Sequence, residues 1–201
     1  MFISDEVFSR FIKPLVFCAS LLPVLLLSIG LIQDNLGANP VETLIRNTGD
    51  WALRFLLITL AISPLRRRIG WVQGLKLRRM LGLFAFFYAV VHFLLYAVLD
   101  QSLDLTDITE DILKRPFILV GFLTLLLLTP LAVTSTRNMM RRLGGKWKKL
   151  HQLIYPAALL AILHFWWMKD AKADISEPLL YAVLLAMLLG ERLWDYRQTR
   201  A

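Results

Sequence analysis

The amino-acid sequence predicts an all-α membrane protein, a polytopic bundle of six transmembrane helices with both termini cytoplasmic. Three observations predict this class. The 201 residues are 57% hydrophobic, with a mean hydropathy of +0.59, whereas soluble domains are roughly half apolar with charge spread along the chain. Charged residues are confined to short blocks between apolar runs, most of them near the roughly 20 residues that cross a bilayer. The loops between the runs alternate between basic and acidic.

Each apolar run is predicted to form one membrane helix. The first is too long for the core of a cleaved signal, and no small-residue cleavage site follows it. The second is the shortest, carries Arg54, and extends back to Leu44 if an interfacial turn is included. Pro116 and Pro178 open the fourth and sixth runs, where the missing amide hydrogen costs nothing. The predicted spans are residues 11–32, 51–65, 80–99, 116–134, 150–168 and 178–194. We find no internal repeat and predict one domain over residues 1–201.

Loop charge predicts the orientation of these spans. The connections after the second and fourth spans hold six basic residues each and no acid, and the connection after the third is acidic. The positive-inside rule places both basic loops in the cytoplasm, and with six spans both termini follow. The same rule accounts for most of the net charge of +8, so we expect membrane lipid and no nucleic acid as a partner. The basic residues are Arg66, Arg67, Arg68, Lys76, Arg78 and Arg79, then Arg137, Arg141, Arg142, Lys146, Lys148 and Lys149; the acids are Asp100, Asp104, Asp107, Glu110 and Asp111.

The chain has three histidines, and all lie in or at the edge of a predicted span. An imidazole in hydrocarbon is costly unless it is coordinated or hydrogen-bonded, and paired neutral imidazoles inside membranes commonly ligate haem iron. His92 lies 13 residues after Arg79, and His164 lies 15 residues after Lys149. At about 1.5 Å per residue both lie about 20 Å from the cytoplasmic ends of their spans. This matched depth predicts one bis-histidine haem between the third and fifth spans.

His151 is the histidine without a counterpart. It lies about 3 Å into the fifth span by the same helical rise. It either belongs to a second, inner haem or is hydrogen-bonded to a neighbouring helix. The third span has no histidine at that depth, where Arg78 and Arg79 stand instead. Pro156 lies between His151 and His164 and can rotate the span locally, so their relative facing stays open.

Small residues flank both members of the predicted pair. They share a helical face with their histidine, which leaves room for a flat macrocycle. The alternative is close helix packing through small residues, which is common in membranes. The two faces consist of Gly82, Ala85, Ala89 and His92, and of Ala157, Ala161 and His164.

Two charged features have alternative interpretations. Arg54 either pairs with a propionate of a haem at its depth or extends to the nearby interface. The basic loops either follow the positive-inside rule alone or also hold a flavin phosphate or a cytoplasmic reductase. The sequence has no Gly-rich phosphate loop after a strand, no CxxC and no HExxH, so we expect electrons to come from another molecule.

Several segments spread along the chain form recognisable motifs. The most specific is 143–155, LGGKWKKLHQLIY. The others are 62–66 (ISPLR), 78–83 (RRMLGL), His92 with Tyr96 and Ala97, Arg115 with Pro116, residues 134–136 (TST), and His164. These segments resemble the MsrQ (YedZ) family, and the resemblance covers nearly the whole chain. That family consists of haem-binding membrane subunits of the bacterial periplasmic methionine sulfoxide reductase system, within the ferric-reductase-like transmembrane group.

The resemblance implies an electron-transfer subunit in the bacterial inner membrane that carries b-type haem and is associated with FMN. The histidine positions of the family match His92, His151 and His164 of this chain. Electrons from a cytoplasmic flavin reductase or a quinol would pass to a periplasmic molybdopterin-containing subunit, MsrP-like, which repairs methionine sulfoxide in proteins. Two alternatives remain open: a self-contained cytochrome b-type ferric or quinone reductase, and a non-haem transporter or assembly factor whose histidines only bridge helices.

Overall fold

The computed structural model describes residues 4–170 and 175–198, and these residues form helices, turns and short loops without a strand. This confirms the predicted all-α class. The chain ends, which we predict to be cytoplasmic, lie outside the described residues. Packing divides the chain between Leu103 and Asp104 into two compact units, and each is described by itself below. The single domain over residues 1–201 stays a prediction.

Ten α-helices form within the described residues. Short π-helical segments occur at Phe8–Ile12 and Tyr96–Asp100, and short 3-10 segments at Val72–Gly74 and His151–Leu153. The α-helices are α1 Asp5–Val7, α2 Lys13–Ile32, α3 Pro40–Ile69, α4 Leu75–Leu95, α5 Leu105–Lys114, α6 Pro116–Val133, α7 Arg137–Leu143, α8 Gly145–Leu150, α9 Ile154–Asp170 and α10 Ser176–Gln198.

The first unit is built on the helical hairpin of α3 and α4, the most extensively packed helix pair in that unit. Asn39 caps α3, where its Oδ1 accepts a hydrogen bond from the backbone N–H of Glu42 at 3.2 Å. Pro40 follows at the first helical position, as its missing N–H favours. Gly70 ends α3 with φ of 71°, a left-handed conformation that glycine adopts without strain.

Helix α2 joins this hairpin through one tyrosine. The Tyr88 hydroxyl, on α4, donates to Ser20 O at 2.8 Å and accepts from Val24 N–H at 3.2 Å. In an unbroken helix those two backbone groups pair with each other. Pro23 lies beside them in α2, and a proline loosens the helix locally. The hydroxyl of Tyr88, which is fully buried, therefore makes two hydrogen bonds to the backbone of α2 and fixes α2 against α4.

The second unit is built on the pair of α6 and α9, with α5 packed on α6 and α10 packed on α9. The Asp104 carboxylate caps α5 by accepting from two backbone N–H groups. The basic connection after α6 folds into α7 and α8, which turn at Gly144 with φ of 51°. The Trp147 indole donates to Thr134 O at 3.0 Å and so ties α8 to the end of α6.

Helices occupy all six predicted span positions, and four helical segments among the described residues are long and apolar enough to cross a membrane. They are Asp5–Ile32, Val72–Asp100, Pro116–Val133 and Gly145–Lys169. The chain is therefore described as a multi-pass membrane protein. Helix α3 carries acidic and basic residues in its first half and Arg66 to Arg68 in its last turn, and α10 carries charge near its end. Their membrane crossing stays a prediction.

Candidate functional site

In the first unit, His92 lies on α4 and faces α3. Its Nδ1 is 2.8 Å from Ile45 O. Because a carbonyl only accepts, Nδ1 must carry the proton, and the lone pair of the neutral ring then resides on Nε2. The ring also lies against Gly49 of α3, where an added Cβ would come within 3.1 Å of two ring atoms. Helix α3 thus fixes both the tautomer and the position of this imidazole.

In the second unit, His164 on α9 has the same arrangement with α6. Its Nδ1 is 2.6 Å from Phe117 O, which fixes the same tautomer. The ring lies against Gly121, where an added Cβ would be 2.7 Å from Nδ1 and 2.8 Å from Cε1. The Phe117 ring centroid is 6.0 Å from that of the imidazole. Helix α6 therefore orients His164 as α3 orients His92, with a closer approach.

The two units repeat one arrangement at one sequence spacing. The accepting carbonyl precedes each histidine by 47 residues, and the glycine precedes each by 43 residues. Our finding of no internal repeat was wrong for these positions: Gly49 and Gly121, Ala85 and Ala157, Ala89 and Ala161, and the two histidines are each 72 residues apart. Sequence reasoning missed Gly49 and Gly121. The equal spacing from glycine to histidine was the signal that could have found them.

The small-residue faces predicted beside the two histidines are present as helix-packing surfaces. Ala85 on α4 and Ala157 on α9 are buried in their units. Gly82 lies near Thr59 of α3, where an added Cβ would be 3.5 Å from Cγ2. These contacts fit the packing interpretation of the faces, and their role in making room for a macrocycle stays a prediction.

His151 has a different environment. It begins the 3-10 segment His151–Leu153 and so lies outside the regular helix α9. Its ring stacks on Trp147, with centroids 3.8 Å apart, and its Nδ1 is 3.2 Å from Trp147 O, one turn earlier in the chain. Its Nε2 is buried. His151 is thus oriented by its own connection, whereas the other two histidines are each oriented by another helix of their unit.

Arg54 is half-buried on α3. Its guanidinium carbon lies 5.0 Å above the Trp51 ring centroid, a cation–π distance. This contact holds the guanidinium beside Trp51, which lies three residues earlier in α3. Its role toward a propionate stays a prediction.

These side chains suit a metal that brings most of its own ligands. Among residues 4–170 and 175–198, no group of three His, Cys, Asp or Glu side chains converges on a metal site. Haem iron takes four nitrogens from the porphyrin and needs only one or two from the protein. An imidazole whose Nδ1–H donates to a carbonyl and whose Nε2 holds the lone pair is the usual form of a metal-ligating histidine. His92 and His164 both have that form.

Comparisons with known proteins point to the same chemistry. The family model described as the ferric reductase like transmembrane component matches residues 48–162, which include His92 and His151. A protein-methionine-sulfoxide reductase heme-binding subunit MsrQ from Xanthomonas euvesicatoria pv. vesicatoria is 55% identical over 194 residues, covering 94% of this chain and 88% of its own length.

Two other bacteria have similar subunits of the same name. That of Herminiimonas arsenicoxydans is 50% identical over 191 residues, covering 94% of this chain and 88% of its own. That of Polaromonas naphthalenivorans is 49% identical over 185 residues, covering 92% and 84%. No solved structure matches the chain. The chain therefore belongs to the MsrQ family, among the ferric-reductase-like transmembrane components.

Proposed function

We propose that this chain is a b-type haem electron-transfer subunit in which His92 and His164 are the axial ligands. It passes electrons from the cytoplasmic side or the quinone pool to a periplasmic methionine sulfoxide reductase. The observation that carries the proposal is the repeated imidazole arrangement. In each unit a backbone carbonyl of a neighbouring helix accepts a hydrogen bond from Nδ1–H, so that the lone pair of the ring lies on Nε2. The relatives' names, which describe heme-binding subunits, support the same cofactor.

A bound haem supplies a one-electron redox centre. The residues of this chain supply its orientation and surroundings. The carbonyls of Ile45 and Phe117 hold the two rings and make them more basic ligands through the Nδ1 hydrogen bonds. Buried apolar side chains on the same helices, such as Phe84 and Ile162, exclude water and lower the local dielectric, which influences the potential of a metal site.

We further propose that His151 serves the side where electrons are taken up. It lies next to the basic connection that we predict to be cytoplasmic, and Lys146, Lys148 and Lys149 on α8 are exposed there. An anionic cofactor or donor would be attracted to that charge. FMN, which the family resemblance implies, is one such anion; a cytoplasmic flavin reductase or a quinol is the proposed donor.

The proposed acceptor is a molybdopterin-containing MsrP-like subunit in the periplasm, and the proposed location is the bacterial inner membrane. The predicted depth of His92 supports this direction, since it lies about 20 Å from the predicted cytoplasmic end of its span by the helix rise. The 3-10 segment His151–Leu153 interrupts the fifth span, so the same count from Lys149 does not apply to His164. Helix α4 runs without interruption from Leu75 to Leu95, so the rise used for His92 applies.

The absorption spectrum of the purified protein tests this function. Wild type should contain low-spin b-type haem, and His92→Ala and His164→Ala should each lose most of that absorbance, because one axial ligand is removed. His151→Ala is the matched control and should keep a substantial part. Co-purification with a molybdopterin protein, and reduction of methionine sulfoxide by the pair, tests the partner.

Three results would contradict the assignment. Wild-type protein without haem would favour a transporter or assembly factor whose histidines only bridge helices. Wild-type spectra and haem content in both His92→Ala and His164→Ala would show that the ligands are other residues. Haem with ferric or quinone reduction and no periplasmic partner would identify a self-contained reductase.

A further inference from the structure

We propose that Gly49 and Gly121 are positioning residues that set the orientation of the two ligand imidazoles. This inference rests on the proposed function, since it concerns the histidines assigned to the haem. Neither glycine belongs to the predicted site. Each lies on the helix that faces its histidine, four residues after the residue (Ile45 or Phe117) whose carbonyl accepts the hydrogen bond from Nδ1–H.

The contact at Gly121 leaves no room for a side chain. An ideal Cβ there would lie 2.7 Å from His164 Nδ1, 2.8 Å from Cε1 and 3.2 Å from Cγ. All three are shorter than ordinary van der Waals contact between these atoms. The ring cannot swing aside freely, because its Nδ1 is held 2.6 Å from Phe117 O. A methyl group would therefore displace the ring or break that hydrogen bond.

The contact at Gly49 is similar and milder. The corresponding distances are 3.1 Å to His92 Nδ1, 3.1 Å to Cε1 and 3.7 Å to Cγ, and the hydrogen bond to Ile45 O is 2.8 Å. A shift of the ring by a few tenths of an ångström would admit a methyl group. The structure thus ranks the two glycines, with Gly121 the more sensitive.

Backbone conformation does not require glycine at either position, because both lie inside regular helices. Glycine is unfavourable in a helix interior relative to alanine, so local propensity argues against it. Another helical glycine lacks the histidine contact: a Cβ at Gly190 meets nothing within 4 Å. It is the matched control for the loss of glycine itself.

The ring orientation matters because the Nδ1 hydrogen bond of a ligating histidine fixes its ring and tunes its basicity, and both would influence the haem that the histidine holds. The experiment compares Gly121→Ala, Gly49→Ala and Gly190→Ala in the haem-loaded protein. Low-spin electron paramagnetic resonance gives the largest g value, and a redox titration gives the midpoint potential. Gly121→Ala should shift both, Gly49→Ala should shift them less, and the Gly190→Ala control should match wild type.

The outcomes separate the two proposals. If wild type binds no haem, or if His92→Ala and His164→Ala keep it, the proposed function itself fails. If those variants lose the haem while Gly121→Ala and Gly49→Ala keep the wild-type g value and potential, only the positioning role is overturned. An equal shift in the Gly190→Ala control overturns it as well. Should Gly121→Ala fail to fold, Gly49→Ala decides, because its methyl group needs only a small displacement.

Discussion

Replacing Tyr88 by phenylalanine should destabilise the first unit by about 1–3 kcal/mol. The ring of Tyr88 is fully buried and stacks on Phe55 with centroids 5.3 Å apart, and phenylalanine keeps that contact. The lost hydroxyl makes two hydrogen bonds, to Ser20 O and from Val24 N–H. Each is worth about 0.5–1.5 kcal/mol net, which gives the range stated.

The higher cost of leaving both backbone groups unsatisfied, about 1–3 kcal/mol for each, does not apply. Ser20 O and Val24 N–H are one turn apart within the continuous helix α2, where a helix pairs such groups with each other. The loss of the hydroxyl loosens the attachment of α2 to α4, the helix that carries His92.

Thermal unfolding in detergent measures the effect. For a chain of this size, about 1 kcal/mol lowers the midpoint by about 2–4 °C, so Tyr88→Phe should unfold several degrees below wild type. Ser28→Ala is the control: its hydroxyl bonds only to Val24 O within α2 and is exposed, so its effect should stay within about 0.5 kcal/mol. A Tyr88→Phe midpoint equal to wild type would refute the conclusion that the Tyr88 hydroxyl fixes α2 against α4.

Three further predictions follow from the topology and from the connection before α9. In a background with Cys18→Ala, cysteines at the exposed positions Val72 and Asp107 should label from opposite faces of the membrane; labelling from one face would contradict the topology and the depth argument. His151→Ala should slow haem reduction by a cytoplasmic donor more than haem oxidation by the periplasmic partner in stopped-flow traces, whereas equal slowing would make it an ordinary helix-edge histidine. Trp147→Phe removes the indole hydrogen bond to the carbonyl at the end of α6 and should cost about 0.5–1.5 kcal/mol in chemical unfolding, and an unchanged unfolding midpoint would show that this bond contributes nothing.

Hydropathy and charge predicted where along the chain the helices of the six predicted spans lie better than they predicted the lengths of those helices. The second span, predicted at residues 51–65, lies inside a helix that begins at Pro40 and ends at Ile69. The pattern underestimated it because backbone hydrogen bonding and the Asn39 cap continue a helix through charged positions that hydropathy counts as loop. The fifth span shows the opposite effect. Its helix begins at Ile154, because the 3-10 segment at His151–Leu153 separates it from α8.

The sequence by itself determined the class, the family and the three histidines, since composition, periodicity and rare residue types are properties of single positions or of near neighbours. Only the tertiary structure decided that His92 and His164 are oriented alike by a neighbouring helix and that His151 is oriented by its own connection. It also decided that Gly49 and Gly121 face the imidazoles. The partners in these contacts are more than forty residues apart in the chain, and their hydrogen bonds use backbone carbonyls. Every residue carries such a carbonyl, so no residue type marks it, and only the packing of two helices selects the one that a histidine meets.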